Sequence, residues 1–189
     1  LDTVFEIGLS TQETVTNTIA VDSECRPFRD EGGGLVFRPG GHGSLLKNLN
    51  SLDADIVFLK NIDNCVPDRL KPETVRWKKI LACYLITLQE GIFRRLRLLS
   101  ARDARDGDLT EIARFCQDKL HLVMPPGFFM RPPAERRSFL FESLNRPLRV
   151  CGMVKNEGEP GGGPFWVAPS GGVGTLSLQI IEESQIDRK

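Results

Sequence analysis

Residues 37–68 constrain the fold of this chain more than any other stretch, because a glycine turn, a helical pattern, an apolar run and a polar cluster follow one another there. The turn at 39–43 has three glycines around His42, and the residues after it place three leucines on one helical face. Such a turn is suited to anions, since its free N–H groups meet the positive end of the helix dipole. We therefore expect a ligand site at this turn.

The apolar run at 55–59 predicts a strand buried on both faces of a parallel sheet. The chain turns polar directly after it, through Asn61, Asp63 and Asn64. Ligands of open α/β sheets bind outside the carboxyl ends of strands, so we expect Asp63 to face a metal or a hydroxylated ligand. Simpler interpretations stay open: the glycine turn is a plain loop, and the Asn-Ile-Asp-Asn sequence is a helix cap or a turn.

Helical periodicity dominates the middle of the chain. It predicts a long amphipathic helix over 73–100, a second over 110–120 behind a cap at Asp108, and a third over 132–144. The basic face of the long helix is expected to be solvated, with phosphate or nucleic-acid binding as the alternative. His121 lies between two leucines and is predicted to pack in the core.

Extended segments flank these helices. Strands are predicted at 4–7, 16–21, 35–37, 148–154 and 175–181. We therefore expect one α/β core formed by 1–72 and 146–189, with a helical insertion at 73–145.

A second glycine-rich stretch covers 156–166 and combines acids with an aromatic pair. Glu159, Gly161 and Gly162 would suit a sugar-binding wall, because hydroxyls need carboxylate acceptors and the apolar face of a sugar needs an aromatic platform such as Trp166. The alternative is a tight hairpin with packed aromatics.

Composition narrows the partners. The 189 residues hold 25 basic and 25 acidic side chains, so no overall charge attracts the chain to nucleic acid or to a membrane surface. No apolar stretch approaches the roughly 18 residues of a membrane span, and a cytoplasmic location is expected by default. The five cysteines are widely spaced and are expected to be reduced and mostly buried.

The glycine turn, the apolar run and the Asn-Ile-Asp-Asn sequence together resemble the UDP-sugar pyrophosphorylase branch of the nucleotidyltransferases. This resemblance implies a Rossmann-like mixed sheet of the GT-A type, partial here and carrying the helical insertion. It also implies roles for particular residues. The residues implied for nucleotide binding are Gln12, Gly41, His42 and Gly43. Asp63 is implied for catalysis and for Mg²⁺ binding. Asn64 and Glu182 are implied for sugar binding, in addition to the residues of the second glycine-rich stretch.

Longer matches cover most of the chain. The sequences FRPGGHG, VPDRLKPETVR and RVCGMVKNEGEPGGGPFW are similar to a bacterial family that is known only as a domain of unknown function. That resemblance implies no established activity.

Two functions are compatible with these features. The first is transfer of a nucleotidyl group to a sugar 1-phosphate with release of pyrophosphate, with Mg²⁺ as cofactor and a nucleotide and a sugar phosphate as small-molecule partners. The second is a non-catalytic domain that binds a nucleotide or a sugar, or that regulates another activity. The phosphate loop of the pyrophosphorylases has no counterpart here, so we expect a fragment whose remaining partner is the rest of a longer chain, and which is inactive alone.

Overall fold

The computed structural model describes residues 4–101, 104–155, 157–158, 161–168, 176–183 and 186, and of Asp63 it describes the backbone only. The chain divides into two compact units, Leu1–Cys65 and Val66–Lys189. Within the described residues there are four α-helices and two small antiparallel sheets, so the protein is of the mixed α/β class.

The first unit begins with a pair of short antiparallel strands, β1 (Thr18–Ile19) and β2 (Phe37–Arg38). Three backbone hydrogen bonds of 2.9–3.0 Å close a ring beside them: Ala20 N–H donates to Val36, Val36 N–H to Phe28, and Phe28 N–H to Ala20. Three stretches of chain therefore meet at one point. The extended segments predicted at 16–21 and 35–37 pair with each other.

Two aspartates fix the turns between these strands. The Asp22 carboxylate accepts hydrogen bonds from the backbone N–H groups of Glu24 and Arg26 and from the Arg26 guanidinium. The two hydrogen bonds from Arg26 hold the pKa of Asp22 below its ordinary value, and the bond from the Arg26 backbone has the larger effect. The Asp30 carboxylate accepts from the N–H groups of Gly32 and Gly34 at 3.0 and 2.8 Å. These local bonds replace the longer ladder that a sheet would provide.

The first unit ends with a short helix and a run of turns. Helix α1 (Leu46–Asn50) follows a 3₁₀ turn over His42–Leu45, which agrees with the helical pattern of leucines after the glycine turn. Further 3₁₀ turns cover Ile62–Asn64 and Asp68–Leu70, the second of them at the start of the next unit.

The second unit is built on three helices. They are α2 (Lys71–Ser100), α3 (Asp106–Leu120) and α4 (Pro133–Leu144). Pro72 in the first turn of α2 suits a position where no N–H is needed. All three helices were predicted from their periodicity.

One apolar core joins the three helices. Its buried residues are Ile92, Leu99, Ala104, Leu109, Ile112, Ala113, Cys116, Phe128, Leu140 and Leu144. Leu96 packs against this cluster, as the apolar stripe of α2 predicted. The helices are therefore one another's packing partners. The helical insertion predicted at 73–145 stays a prediction.

Charged side chains complete the helix packing. Arg136 of α4 is 3% exposed and forms an ion pair with Asp106 at the start of α3. A buried guanidinium without an acid would cost several kcal/mol, so this pair fixes how the two helices meet. Arg95 of α2 bonds to Glu111 at 2.6 Å and lies 3.7 Å from the centre of the Phe115 ring.

The ends of α3 differ in detail from the prediction. Asp108 lies inside the first turn and accepts a hydrogen bond from the Arg105 backbone N–H at 2.8 Å, so it stabilises the helix start from the third helical position. His121 ends the helix in the left-handed conformation, with φ at 52°, and is exposed. The prediction that His121 packs in the core is wrong.

The second sheet is a hairpin of β3 (Gly162–Val167) and β4 (Ser177–Glu182). Gly162 pairs with Glu182, and Trp166 pairs with Leu178. The strand predicted at 175–181 is found over residues 177–181, and residue 175 lies outside the described residues. Residues 162–166 of the second glycine-rich stretch belong to this hairpin, but Phe165 and Trp166 are 42% and 51% exposed, so the packed aromatics of the alternative interpretation are not observed.

Three predicted strands are absent. Residues 4–7, 55–59 and 148–154 have no regular secondary structure, and the strands found elsewhere in the described chain pair antiparallel rather than parallel. Phe58 and Leu59 are 56% and 72% exposed, whereas a strand inside a parallel sheet would be buried on both faces. An apolar run of five residues fixes neither its conformation nor its burial, because short runs fit several structures.

No helix within the described residues is both long enough and apolar enough to cross a membrane.

The cysteines provide a test of this fold. Cys25, Cys65, Cys83 and Cys151 are exposed and Cys116 is buried, so the expectation that most of them are buried is wrong. Burial raises the pKa of the Cys116 thiol from 9.0 to about 12. We expect a thiol reagent to modify four cysteines of the native protein rapidly and Cys116 only after unfolding.

The raised pKa also fixes the sign of a pH effect. The fold favours the protonated thiol, so this contribution to stability is complete below pH 9.0 and is lost as the pH rises towards about 12. Urea titrations from pH 9.0 to about 12 should show that Cys116→Ser loses less of its free energy of unfolding than the wild type does, because the serine hydroxyl does not ionise in this range. A fifth thiol that reacts as fast as the exposed ones would contradict the described core.

Candidate functional site

The turn at 42–45 and helix α1 form an amphipathic element with two faces. Ser44, Lys47 and Asn48 follow the three- and four-residue spacing of one helical face. Leu45, Leu46 and Leu49 lie on the other. The two faces contact different parts of the first unit.

The polar face holds the segment at residues 11–17. Asn48 donates from Nδ2 to the Thr11 carbonyl at 2.9 Å, and Lys47 forms an ion pair with Glu13. Ser44 Oγ lies 3.4 Å from the Thr16 carbonyl, at the long end for a hydrogen bond. The ion pair is exposed and contributes little, so the Asn48 bond, worth about 1 kcal/mol, is the strongest of these contacts. We call this set of contacts the clasp.

The apolar face lines a pocket of about 590 Å³. Its described lining residues are His42, Gly43, Leu45, Leu46, Leu49, Leu59, Lys60 and Asn61. The pocket therefore joins the glycine turn to the end of the apolar run at 55–59. The sequence predicts a ligand site at the glycine turn and another after the apolar run, and both segments line this one pocket although residues 55–59 form no strand.

The glycines of the turn have different roles. A Cβ added at Gly40 would overlap Ser44 Oγ and lie 3.3 Å from the Thr16 carbonyl oxygen, so a side chain there would force Ser44 out of its place in the clasp. A Cβ added at Gly41 or Gly43 would meet no atom within 4 Å. Gly40 thus leaves room for Ser44, whereas the backbone at Gly41 and Gly43 is open to an approaching ligand.

A capped turn forms the opposite side of the pocket. Asn61 accepts a hydrogen bond from the Ile62 backbone N–H at 2.8 Å, and Asn64 N–H donates to the Asn61 carbonyl at 3.1 Å. The interpretation of Asn-Ile-Asp-Asn as a cap and turn is therefore confirmed. Asn64 is exposed in this turn. The side chain of Asp63, the predicted catalytic and metal-binding residue, is outside the described part of the structure.

Gln12 lies in the segment that the clasp holds. Its Nε2 is 3.4 Å from Asn17 Oδ1, and Gln12 is not one of the pocket's lining residues. Its predicted contact with a nucleotide therefore has no counterpart in this pocket, and a role in ordering the 11–17 segment fits its position.

Asn64 belongs to the first unit, whereas the other four predicted sugar-binding residues belong to the second. Gly162 pairs with Glu182 at one end of the β3–β4 hairpin, and the Glu183 N–H donates to the Gly161 carbonyl at 3.0 Å. A Cβ added at Gly162 would be 3.2 Å from Glu182 Oε1, so glycine allows this carboxylate to lie close to the backbone. Glu159 is outside the described residues.

Several pocket residues were not predicted as site residues. The leucines of α1 were read only as a helical face, and Leu59 as part of a buried strand. Lys60 and Asn61 follow that run directly, and their polarity was the signal that could have assigned them to the site. Among the described residues, no group of three or more His, Cys, Asp or Glu side chains is placed to hold a metal ion.

Comparison with known proteins places the chain in a family. The class defined by the structure is a mixed α/β protein with a small-molecule-sized pocket in its first unit. Residues 1–189 match the model of the family described as "Domain of unknown function (DUF4301)", and the chain belongs to that family. No curated protein and no solved structure matches it.

The role of Gly40 is testable by hydrogen exchange. Gly40→Ala should displace Ser44 and the Thr16 carbonyl and so lower the free energy of local opening at residues 42–50 by about 1–3 kcal/mol. Gly41→Ala is the matched control, since φ at Gly41 is −70° and the added methyl group meets no atom. The control should leave protection unchanged or raise it by up to about 1 kcal/mol. If the two substitutions changed protection at residues 42–50 equally, the role of Gly40 beside the clasp would be contradicted.

Proposed function

We propose that the pocket between the glycine turn and residues 59–61 binds the nucleoside part of a nucleotide. The observation that supports this is the shared lining: His42 and Gly43 of the turn and Leu59 and Asn61 of the second segment border one space of about 590 Å³. Small-molecule sites commonly measure about 300–1,000 Å³ and combine apolar walls with a few polar groups.

The chemistry of the lining suits a flat heterocycle with a ribose. Leu45, Leu46 and Leu49 offer an apolar wall that a ring would cover, and Leu46 is 67% exposed without a ligand. His42 is exposed at the rim, where its imidazole can exchange hydrogen bonds with a base or a sugar hydroxyl. The open backbone at Gly43 lets the ligand approach closely.

The activity that we propose is nucleotidyl transfer to a sugar 1-phosphate. A phosphate oxygen of the sugar phosphate forms a bond to the α-phosphorus of a nucleoside triphosphate, and the bond to the β-phosphate oxygen breaks, so that pyrophosphate leaves with the electron pair. The support is the resemblance of the two motifs to UDP-sugar pyrophosphorylases, whose nucleotidyltransferase-like, Rossmann-type fold is part of the same proposal. The chain's own residues would position the nucleotide and exclude water.

Asp63 is the residue that we propose as a ligand of Mg²⁺ in this reaction. Mg²⁺ sites in proteins usually use only one or two carboxylates together with phosphate oxygens, so one acid at the end of the pocket segment fits this donor set. When bound, the ion would neutralise charge on the phosphates. Asn64 is proposed for the sugar, and the sugar-binding roles of Glu159, Gly161, Gly162 and Glu182 stay predictions. The cytoplasmic location stays a prediction.

Binding is tested by a pair of leucine substitutions. Leu46→Gln removes apolar surface from the pocket wall at a site that is 67% exposed, so the fold should tolerate it. We expect nucleotide affinity to fall about five- to thirtyfold, the range for losing most of one leucine contact. Leu52→Gln is the control, because Leu52 is also exposed and does not line the pocket. Calorimetric titration with the four common nucleoside triphosphates gives the affinities.

The activity is tested in the full-length protein by pyrophosphate release with a panel of nucleoside triphosphates and sugar 1-phosphates. Asp63→Asn keeps size and hydrogen bonding but removes the charge that Mg²⁺ requires, so it should lower turnover by about a hundredfold or more. Asp53→Asn is the control for loss of an exposed acid in the same unit.

The outcomes separate the two functions. Nucleotide binding without pyrophosphate release from any pair would make this a nucleotide-binding or regulatory domain. Absence of binding to all four nucleotides, or equal loss in both leucine variants, would overturn the pocket assignment.

A further inference from the structure

The first unit is rich in acids, and its few cations are placed unequally. Residues 1–65 contain ten acidic and five basic side chains. Arg26 pairs with Asp22 and Glu24, Lys47 pairs with Glu13, and Arg29 donates to the Gly33 carbonyl at 2.7 Å. Three of the five cations are thus occupied by local structure, which leaves Arg38 and Lys60 to consider.

Lys60 lies at the pocket. It forms no hydrogen bond or ion pair with any residue that the structure describes, and it is the one cationic side chain among the described lining residues. No carboxylate occurs among those lining residues either. The described lining of the pocket therefore carries one positive charge, in a unit that has an excess of acids.

Lys60 lies between two other lining residues. Leu59 before it and Asn61 after it both line the pocket, and the Asn61 side chain caps the following turn through its bond from the Ile62 N–H. The lysine is therefore next to the residue at which this turn begins.

We propose that Lys60 binds a phosphate group of the ligand whose nucleoside part occupies this pocket, and that it makes the site select phosphorylated ligands over unphosphorylated ones. This assignment rests on the proposed nucleotide site, and it adds the residue that recognises the charge of the ligand's phosphate. Lysine suits this role as a flexible point charge with three donors, and a charge-assisted bond is about twice as strong as a neutral one. Arg38, in β2, does not line the pocket.

The test compares nucleosides with their monophosphates. Uridine and UMP, and adenosine and AMP, are titrated at low ionic strength into the wild-type chain and into Lys60→Met, Lys60→Arg and Arg38→Met. We expect the wild type to bind each monophosphate about five- to tenfold tighter than its nucleoside. Lys60→Met should remove this preference, so that each monophosphate binds no more tightly than its nucleoside. Lys60→Arg should retain most of it, and Arg38→Met, which removes the same charge outside the pocket, should retain all of it.

Salt dependence provides a second readout. The monophosphate preference of the wild type should shrink as ionic strength rises, because the lysine is exposed and salt screens the interaction. Equal affinity of the wild type for UMP and uridine, or a preference that survives in Lys60→Met, would overturn the role of Lys60. In that case nucleoside binding that is sensitive to Leu46→Gln would leave the nucleotide site standing. Absence of binding by all four compounds would overturn both.

Discussion

The hydrogen bond from Asn48 to the Thr11 carbonyl is the contact on which the candidate site most depends. A helix as short as α1 is marginal in water and needs tertiary contacts to persist. The clasp supplies them on the polar face, through 2.9 Å between Asn48 Nδ2 and the Thr11 oxygen and through the Lys47–Glu13 ion pair. Because one face is held in this way, the leucine face is left to border the pocket.

This arrangement accounts for some of the exposed apolar side chains of the first unit. Leu46 and Leu59 are 67% and 72% exposed and both border the pocket, where a ligand would cover them. A polar rim of His42, Lys60 and Asn61 surrounds the same space. Such a combination of apolar walls and a few polar groups is what a small organic ligand with a charged end requires.

The helices were predictable, and the sheet was not. Over thirty residues the periodicity of α2 leaves one solution, and Leu88, Ile92 and Leu99 are buried as that pattern requires. The run at 55–59 is too short for such a test. Its apolar residues fit the wall of a pocket as well as they fit a buried strand, and only the surrounding chain decides between these two structures.

The candidate site was also predictable only in part. The turn around His42 and the polar sequence after residue 59 were each visible, because glycine and asparagine mark local backbone geometry. That they share a pocket depends on how α1 is held by the segment at 11–17, through contacts between residues far apart in sequence such as Asn48 and Thr11. Sequence pattern carries no information on contacts of that range.

Hydrogen exchange with and without a nucleotide tests the shared pocket most directly. If the two segments form one nucleotide site, saturating UTP or ATP should slow exchange at 42–49 and at 59–62 together, and to a similar degree, while the turn held by Asp30 is unchanged. Protection of one segment alone, or of neither, would contradict the claim that the glycine turn and the Lys60 segment bind a single ligand.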